Sequence, residues 1–71
     1  MIRVRDICEA IPSTARVTIV DRQLNPIYIG KLLKFFPSEF NLSLDRVVDQ
    51  MRYSYDFKHG MQWLVVLEDE G

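Results

Sequence analysis

One stretch of the chain constrains the fold most strongly: Met61-Gln62-Trp63-Leu64-Val65-Val66-Leu67. Aromatic and branched apolar residues dominate it, as is typical of a strand. In an extended segment Leu64 and Val66 share one face, while Trp63, Val65 and Leu67 share the other, so both faces are apolar. Such a strand is central in its sheet, is covered on both sides, or forms half of an interface.

The residues before this strand predict its hairpin partner. Tyr53-Ser54-Tyr55 is strongly β-prone, and Asp56-Phe57-Lys58-His59-Gly60 has the composition of a hairpin loop. Residues 44–57 fit two patterns, because apolar side chains recur at helical spacing up to Met51 and alternate as in a strand from there onward. We favour the strand, and residues 44–51 stay open between helix and strand.

The first half of the chain predicts a helix and a second hairpin. Residues 3–11 carry apolar side chains at i, i+3, i+4 and i+7, which indicates a short amphipathic helix with Cys8 on its apolar face, in the core. Residues 15–21 alternate as a strand, 22–26 supply a turn, and 27–29 form a further strand. We therefore predict a single α+β domain over 1–71, with a short N-terminal helix packed on a four-stranded antiparallel sheet made of two hairpins.

Size and composition limit what this domain can do. The chain has 71 residues, a formal net charge of −1, one cysteine and one histidine. It has no internal disulfide and no structural zinc ligand set, and a core this thin favours a homo-oligomer, which we expect to be a homodimer. No apolar run reaches the roughly 18 residues of a bilayer span, and the N-terminus lacks a signal peptide's apolar stretch. We expect a cytoplasmic protein without cofactor or membrane partner.

The 52–63 hairpin holds the candidate binding residues. Its aromatic side chains and nearby cations resemble a platform on which the bases of a single-stranded nucleic acid stack. Cross-strand aromatics are more often a packing face, and the near-neutral net charge favours a core or an interface. The predicted binding residues, for a partner protein or alternatively a nucleic acid, are Arg52, Tyr53, Tyr55, Lys58, His59 and Trp63.

No catalytic residue and no metal site is predicted. His59 lies in the predicted loop, with no Ser or Cys placed by a motif for it to activate. Carboxylates are the ligands that magnesium prefers, so the aspartates of this chain allow a third hypothesis, a metal-dependent DNA-nicking protein. We favour this hypothesis least. Its ligands would be Asp21, Asp45, Asp49 and Asp56, although scattered aspartates are ordinary in turns. Residues 68–71 are expected to form a solvated acidic tail.

The order of motifs along the chain resembles that of small uncharacterised proteins of prophages and mobile elements in gut Firmicutes. The shared motifs are Val-Arg-Asp-Ile, Ala-Arg-Val-Thr-Ile-Val-Asp, Pro-Ile-Tyr-Ile-Gly, Phe-Pro-Ser-Glu and a closing Trp-Leu-Val-Val-Leu-Glu. The resemblance implies an accessory or anti-defence factor that binds a host or phage protein. Anti-CRISPR inhibitors are one class of such factors. It carries over no functional residue, and Leu24-Asn25-Pro26 stands where the group usually has a glycine in the first hairpin turn.

Overall fold

The computed structural model describes residues 1–69 and contains one α-helix and a four-stranded sheet, which confirms the predicted α+β class. Glu70 and Gly71 of the expected acidic tail lie outside the described residues. None of the helices within 1–69 has the length and hydropathy needed to span a bilayer. In chain order the elements are α1 (Val4–Ala10), β1 (Arg16–Val20), β2 (Pro26–Lys31), two 3-10 turns (Leu32–Lys34 and Pro37–Phe40), β3 (Val48–Asp56) and β4 (Gly60–Leu67).

The sheet is mixed, so the prediction of an entirely antiparallel sheet is wrong. The strand order is β2-β1-β4-β3, with antiparallel outer pairs and a parallel central pair, β1 and β4. The two central strands carry most of the buried strand residues, whereas β2 and β3 leave most of their residues exposed or half-buried. Placing the two most apolar strands side by side removes the most apolar surface from water, and these two run in the same direction. Of the three arrangements left open for residues 61–67, the structure shows the central strand.

One face of the sheet carries the core. Val17 and Ile19 of β1 and Val65 and Leu67 of β4 are fully buried at its centre. Helix α1 and the connection between β2 and β3 cover this face with Val4, Ile7, Ile11, Leu32, Phe35 and Leu42. On the opposite face Val66 of β4 is buried, whereas Ile29 of β2 is half-exposed.

Cys8 is exposed, so the prediction that it belongs to the core is wrong. The helix has about two turns, and Val4, Ile7 and the capping residue Ile11 already occupy the side that faces the sheet. Partial desolvation and, second, the neighbouring Glu9 carboxylate raise the pKa of the Cys8 thiol. The thiol therefore stays protonated at neutral pH, which makes it a poor nucleophile.

Asp21 organises the turn between β1 and β2. Its Oδ1 accepts hydrogen bonds from the backbone N–H groups of Gln23 and Asn25, both at 2.9 Å. Leu24 has a φ of 66°, a left-handed conformation that costs a non-glycine residue about 1–2 kcal/mol. The Asp21 side chain thus holds Leu24 in a conformation that a glycine would adopt more readily.

The segment 44–51 divides between a turn and a strand, so its helical alternative is wrong. Leu44 and Asp45 lie in a turn, and β3 begins at Val48. The N-terminal segment runs beside this start, where the Val48 N–H donates to the Ile2 carbonyl oxygen at 2.8 Å. An irregularity in the pairing between Val48 and Gln50 shifts the register before the regular part of β3.

Candidate functional site

The β3–β4 hairpin extends beyond the rest of the sheet. β1 pairs with β4 over residues 63–66, whereas β3 pairs with β4 as far as Asp56 and Gly60. The tip is closed by a hydrogen bond from the His59 N–H to the Asp56 carbonyl oxygen at 3.1 Å, and Gly60 has a φ of 79°. Residues 57–59 form the loop, and the left-handed conformation of the residue that follows them suits glycine. We call residues 53–63 the arm.

Strand alternation places the predicted binding residues on two faces. Directly opposed residues of an antiparallel pair share a face, so Tyr53 lies beside Trp63 on the side of the core. Their ring centroids are 4.7 Å apart with an interplanar angle of 44°. Tyr55 follows on the same face, but Arg52 lies opposite Leu64 on the other face. The structure therefore brings Tyr53, Tyr55 and Trp63 together and separates Arg52 from them.

The apolar side chains of the arm are exposed to solvent. The exposed fractions are 56% for Tyr53, 70% for Tyr55, 83% for Phe57 and 47% for Met61, while Trp63 is partly buried against the core. We call these five residues the aromatic surface. Sequence reasoning missed Met61 as a site residue, although its position opposite Tyr55 follows from the hairpin register.

The polar residues of the arm's tip stabilise the turn. His59 Nδ1 lies 2.5 Å from Asp56 Oδ2. This hydrogen bond is the main reason that the pKa of the Asp56 carboxyl lies below its usual range, and the Lys58 backbone N–H and the nearby charges of His59 and Arg16 contribute in the same direction. The predicted binding residue His59 is thus engaged with its own turn, and Lys58 lies exposed beside it.

We expect His59→Ala to raise the pKa of Asp56 toward the usual value of about 3.9. A carboxyl whose pKa is lowered by folding stabilises the folded state above its ordinary pKa, and that stabilisation is lost as the pH falls through the lowered value. Carbon-detected NMR titration of the Asp56 carboxyl in both proteins measures the change. Lys58→Ala is the control, because it keeps the Lys58 backbone donor and should leave the midpoint in place. Equal midpoints in His59→Ala and the parent protein would contradict this assignment.

The opposite face of the sheet carries a shallow groove of about 450 Å³. Arg22 Nε and Asp49 Oδ2 lie 4.0 Å apart at this groove. Arg52 Nη2 donates to Gln50 Oε1 at 3.0 Å, so Arg52 belongs to this groove and not to the aromatic surface. The lining residues are Arg22, Leu24, Asp49, Gln50, Arg52, Leu64 and Val66.

The aspartates considered as metal ligands lie apart from one another. Asp45 accepts a hydrogen bond from Arg5 Nη2 at 2.8 Å. Asp21 and Asp56 stabilise the two hairpin turns, and Asp49 lies beside Arg22. Within the part of the chain that the structure describes, no three His, Cys, Asp or Glu side chains converge on a point that could hold a metal ion. The structure therefore gives the DNA-nicking hypothesis no ligand cluster.

No protein-family model matches this chain, and comparisons with curated proteins and with solved structures find no match either. A functional proposal therefore rests on the surfaces of the chain itself. Two of them stand out: the aromatic surface of the arm and the groove behind it.

Proposed function

We propose that this chain is a non-enzymatic interaction protein that binds another protein through the aromatic surface. The observation that carries the proposal is the exposure of Tyr53, Tyr55, Phe57 and Met61 on one hairpin. Apolar area removed from water contributes about 25 cal/mol per Å², so covering these side chains favours association. Tyrosine, tryptophan, phenylalanine and methionine are also the residues enriched at the centres of protein interfaces.

The resemblance to prophage and mobile-element proteins supports a host protein as the target. Proteins of that group are frequently anti-defence factors, so the proposed mode of action is inhibition by occupying a functional surface, as anti-CRISPR proteins do. A single free cysteine supports a reducing compartment, the cytoplasm, as the place of action. In this mode the chain needs no catalytic group of its own.

A single-stranded nucleic acid is the second candidate ligand, and the Tyr53–Trp63 ring pair favours it, because bases stack on such rings. Stacking platforms combine their rings with cations that follow the phosphate backbone. In this chain Arg52 lies on the opposite face from the rings, and His59 is bonded to Asp56. Lys58, exposed at the tip, is the remaining cation of the predicted set, and a single cation near the rings favours a protein partner over a phosphate backbone.

Site-specific photo-crosslinking in cells that express this protein tests the proposal. We expect p-benzoylphenylalanine at position 55 to form an adduct with one defined protein other than a second copy of the chain. Phe36 is the matched control position, since it is an aromatic residue outside the arm and is 56% exposed. The same adduct at both positions, or none at position 55, would contradict binding through the arm. Adducts that a nuclease removes would support the nucleic-acid alternative.

A further inference from the structure

β3 is an edge strand with a free outer side over most of its length. The strand order places β3 at one end of the sheet. The N-terminal segment pairs with the start of this edge, at Val47 and Val48. Between residues 49 and 56, no other described segment forms backbone hydrogen bonds with the outer side. An exposed edge of this kind readily pairs with a strand from another chain.

The tip of the arm determines which residues offer backbone groups at this edge. The Asp56 carbonyl oxygen accepts the turn's hydrogen bond from His59, so the backbone of Asp56 faces β4. Backbone groups alternate between the two sides of a strand in an antiparallel ladder. The N–H and C=O groups of Met51, Tyr53 and Tyr55 therefore point outward.

We propose that the occupant of this edge is β3 of a second copy of the chain, paired antiparallel with Ser54 opposite Ser54 at the two-fold axis. In this register Arg52 of each copy lies opposite Asp56 of the other, and Tyr53 lies opposite Tyr55. The pairing adds about four backbone hydrogen bonds through the two Tyr53–Tyr55 pairs. It also joins both aromatic surfaces on the same side of one continuous sheet. The inference goes beyond the proposed function, because it concerns the edge of the arm and not its face.

Charge complementarity selects this register among the two-fold alternatives. Unlike charges directly opposite each other stabilise a strand pair, and like charges destabilise it. An axis at Arg52 places two guanidinium groups face to face, and an axis at Tyr55 places Arg52 opposite Lys58. An axis at Tyr53 places Arg52 opposite Ser54, which provides no ion pair.

The proposed register also fits the part of the edge that is free. Residue i of one copy lies opposite residue 108 − i of the other, so residues 52–56, which end with the last residue of β3, pair with one another. The paired stretch ends before Val48, where the N-terminal segment occupies the edge. A strand pair of this length buries less surface than a standard interface, which buries about 1,600 Å². We therefore expect a weak dimer whose population depends on concentration.

Disulfide trapping tests the register. Ser54→Cys, in a Cys8→Ser background, places two thiols at the axis with Cα atoms about 4.5–5.5 Å apart, within the range that a disulfide bridges. Arg52→Cys is the matched control, because its counterpart lies four residues further along, about 14 Å away. We expect Ser54→Cys to oxidise to a disulfide dimer at least tenfold faster than Arg52→Cys. Equal rates, or faster oxidation of Arg52→Cys, would overturn the register.

Sedimentation measurements on the purified chain test the dimer and its ion pairs. We expect a monomer–dimer equilibrium in the parent protein, weakened at least tenfold by Arg52→Asp and restored when Asp56→Arg is added to Arg52→Asp. A parent protein that remains monomeric at several hundred micromolar would overturn the proposal, as would a folded double variant that stays as weak as Arg52→Asp. Because no partner protein is present, these outcomes are independent of the proposed function.

Discussion

Ile19→Ala is expected to lower the free energy of unfolding by about 2–5 kcal/mol, the range for truncating a fully buried isoleucine. Ile19 is 1% exposed and lies where the two halves of the sheet join, between Tyr28 of β2 and Val65 of β4. A chain of this length typically has only about 4–10 kcal/mol of stability in total. The substitution therefore removes a large part of it, and a marginally stable parent would unfold.

Ile29→Ala is the matched control for this prediction. Ile29 lies in the neighbouring strand on the opposite face of the sheet and is 53% exposed, so we expect a loss below about 1 kcal/mol. Urea denaturation followed by the fluorescence of Trp63, the single tryptophan, measures both variants. Equal losses would show that the core does not lie on the face assigned to it.

The strand at 61–67 could be predicted because it depends on a local pattern. Residues 61–67 are apolar on both faces, which left a central position, cover on both faces or an interface open, and the structure shows the central position. The direction of the central pair could not be predicted in the same way. The pairing of β1 with β4 depends on which strand of each hairpin buries more apolar area when the two hairpins are placed side by side. A short stretch of sequence does not contain that information.

The candidate site shows a similar division. The cluster of Tyr53, Tyr55 and Trp63 follows from strand alternation and the hairpin loop, and both are readable in the sequence. The same alternation places Arg52 on the opposite face, so its separation from the rings could also be predicted from the sequence. The exposure of the aromatic surface could not be predicted, because it depends on how far α1 and the connection between β2 and β3 extend over the sheet. Cys8 is exposed for a related reason, since a short helix buries only a narrow stripe.

Tyr55→Ala is expected to weaken binding of the protein captured at position 55 by at least about 30-fold, which corresponds to about 2 kcal/mol, the threshold for an interface hot spot. Tyr55 is 70% exposed, so its truncation removes area that is available to a partner and little of the packing of the folded chain. We expect the free energy of unfolding to change by less than about 1 kcal/mol. Calorimetric titration and urea denaturation of the same variant separate the two effects.

Phe36→Ala provides the control for Tyr55→Ala, because it truncates an exposed aromatic residue outside the arm and should leave the Kd unchanged. Both substitutions are best measured in the Arg52→Asp background, in which self-association through β3 is weakened and a change in the Kd reports the aromatic surface itself. Tyr55 contributes through buried apolar area, so we expect the Kd to depend only weakly on salt. A loss of affinity in Phe36→Ala as large as in Tyr55→Ala would move the binding site away from the arm. A Kd that rises steeply with salt would instead show that charged contacts, and not buried apolar area, dominate the binding.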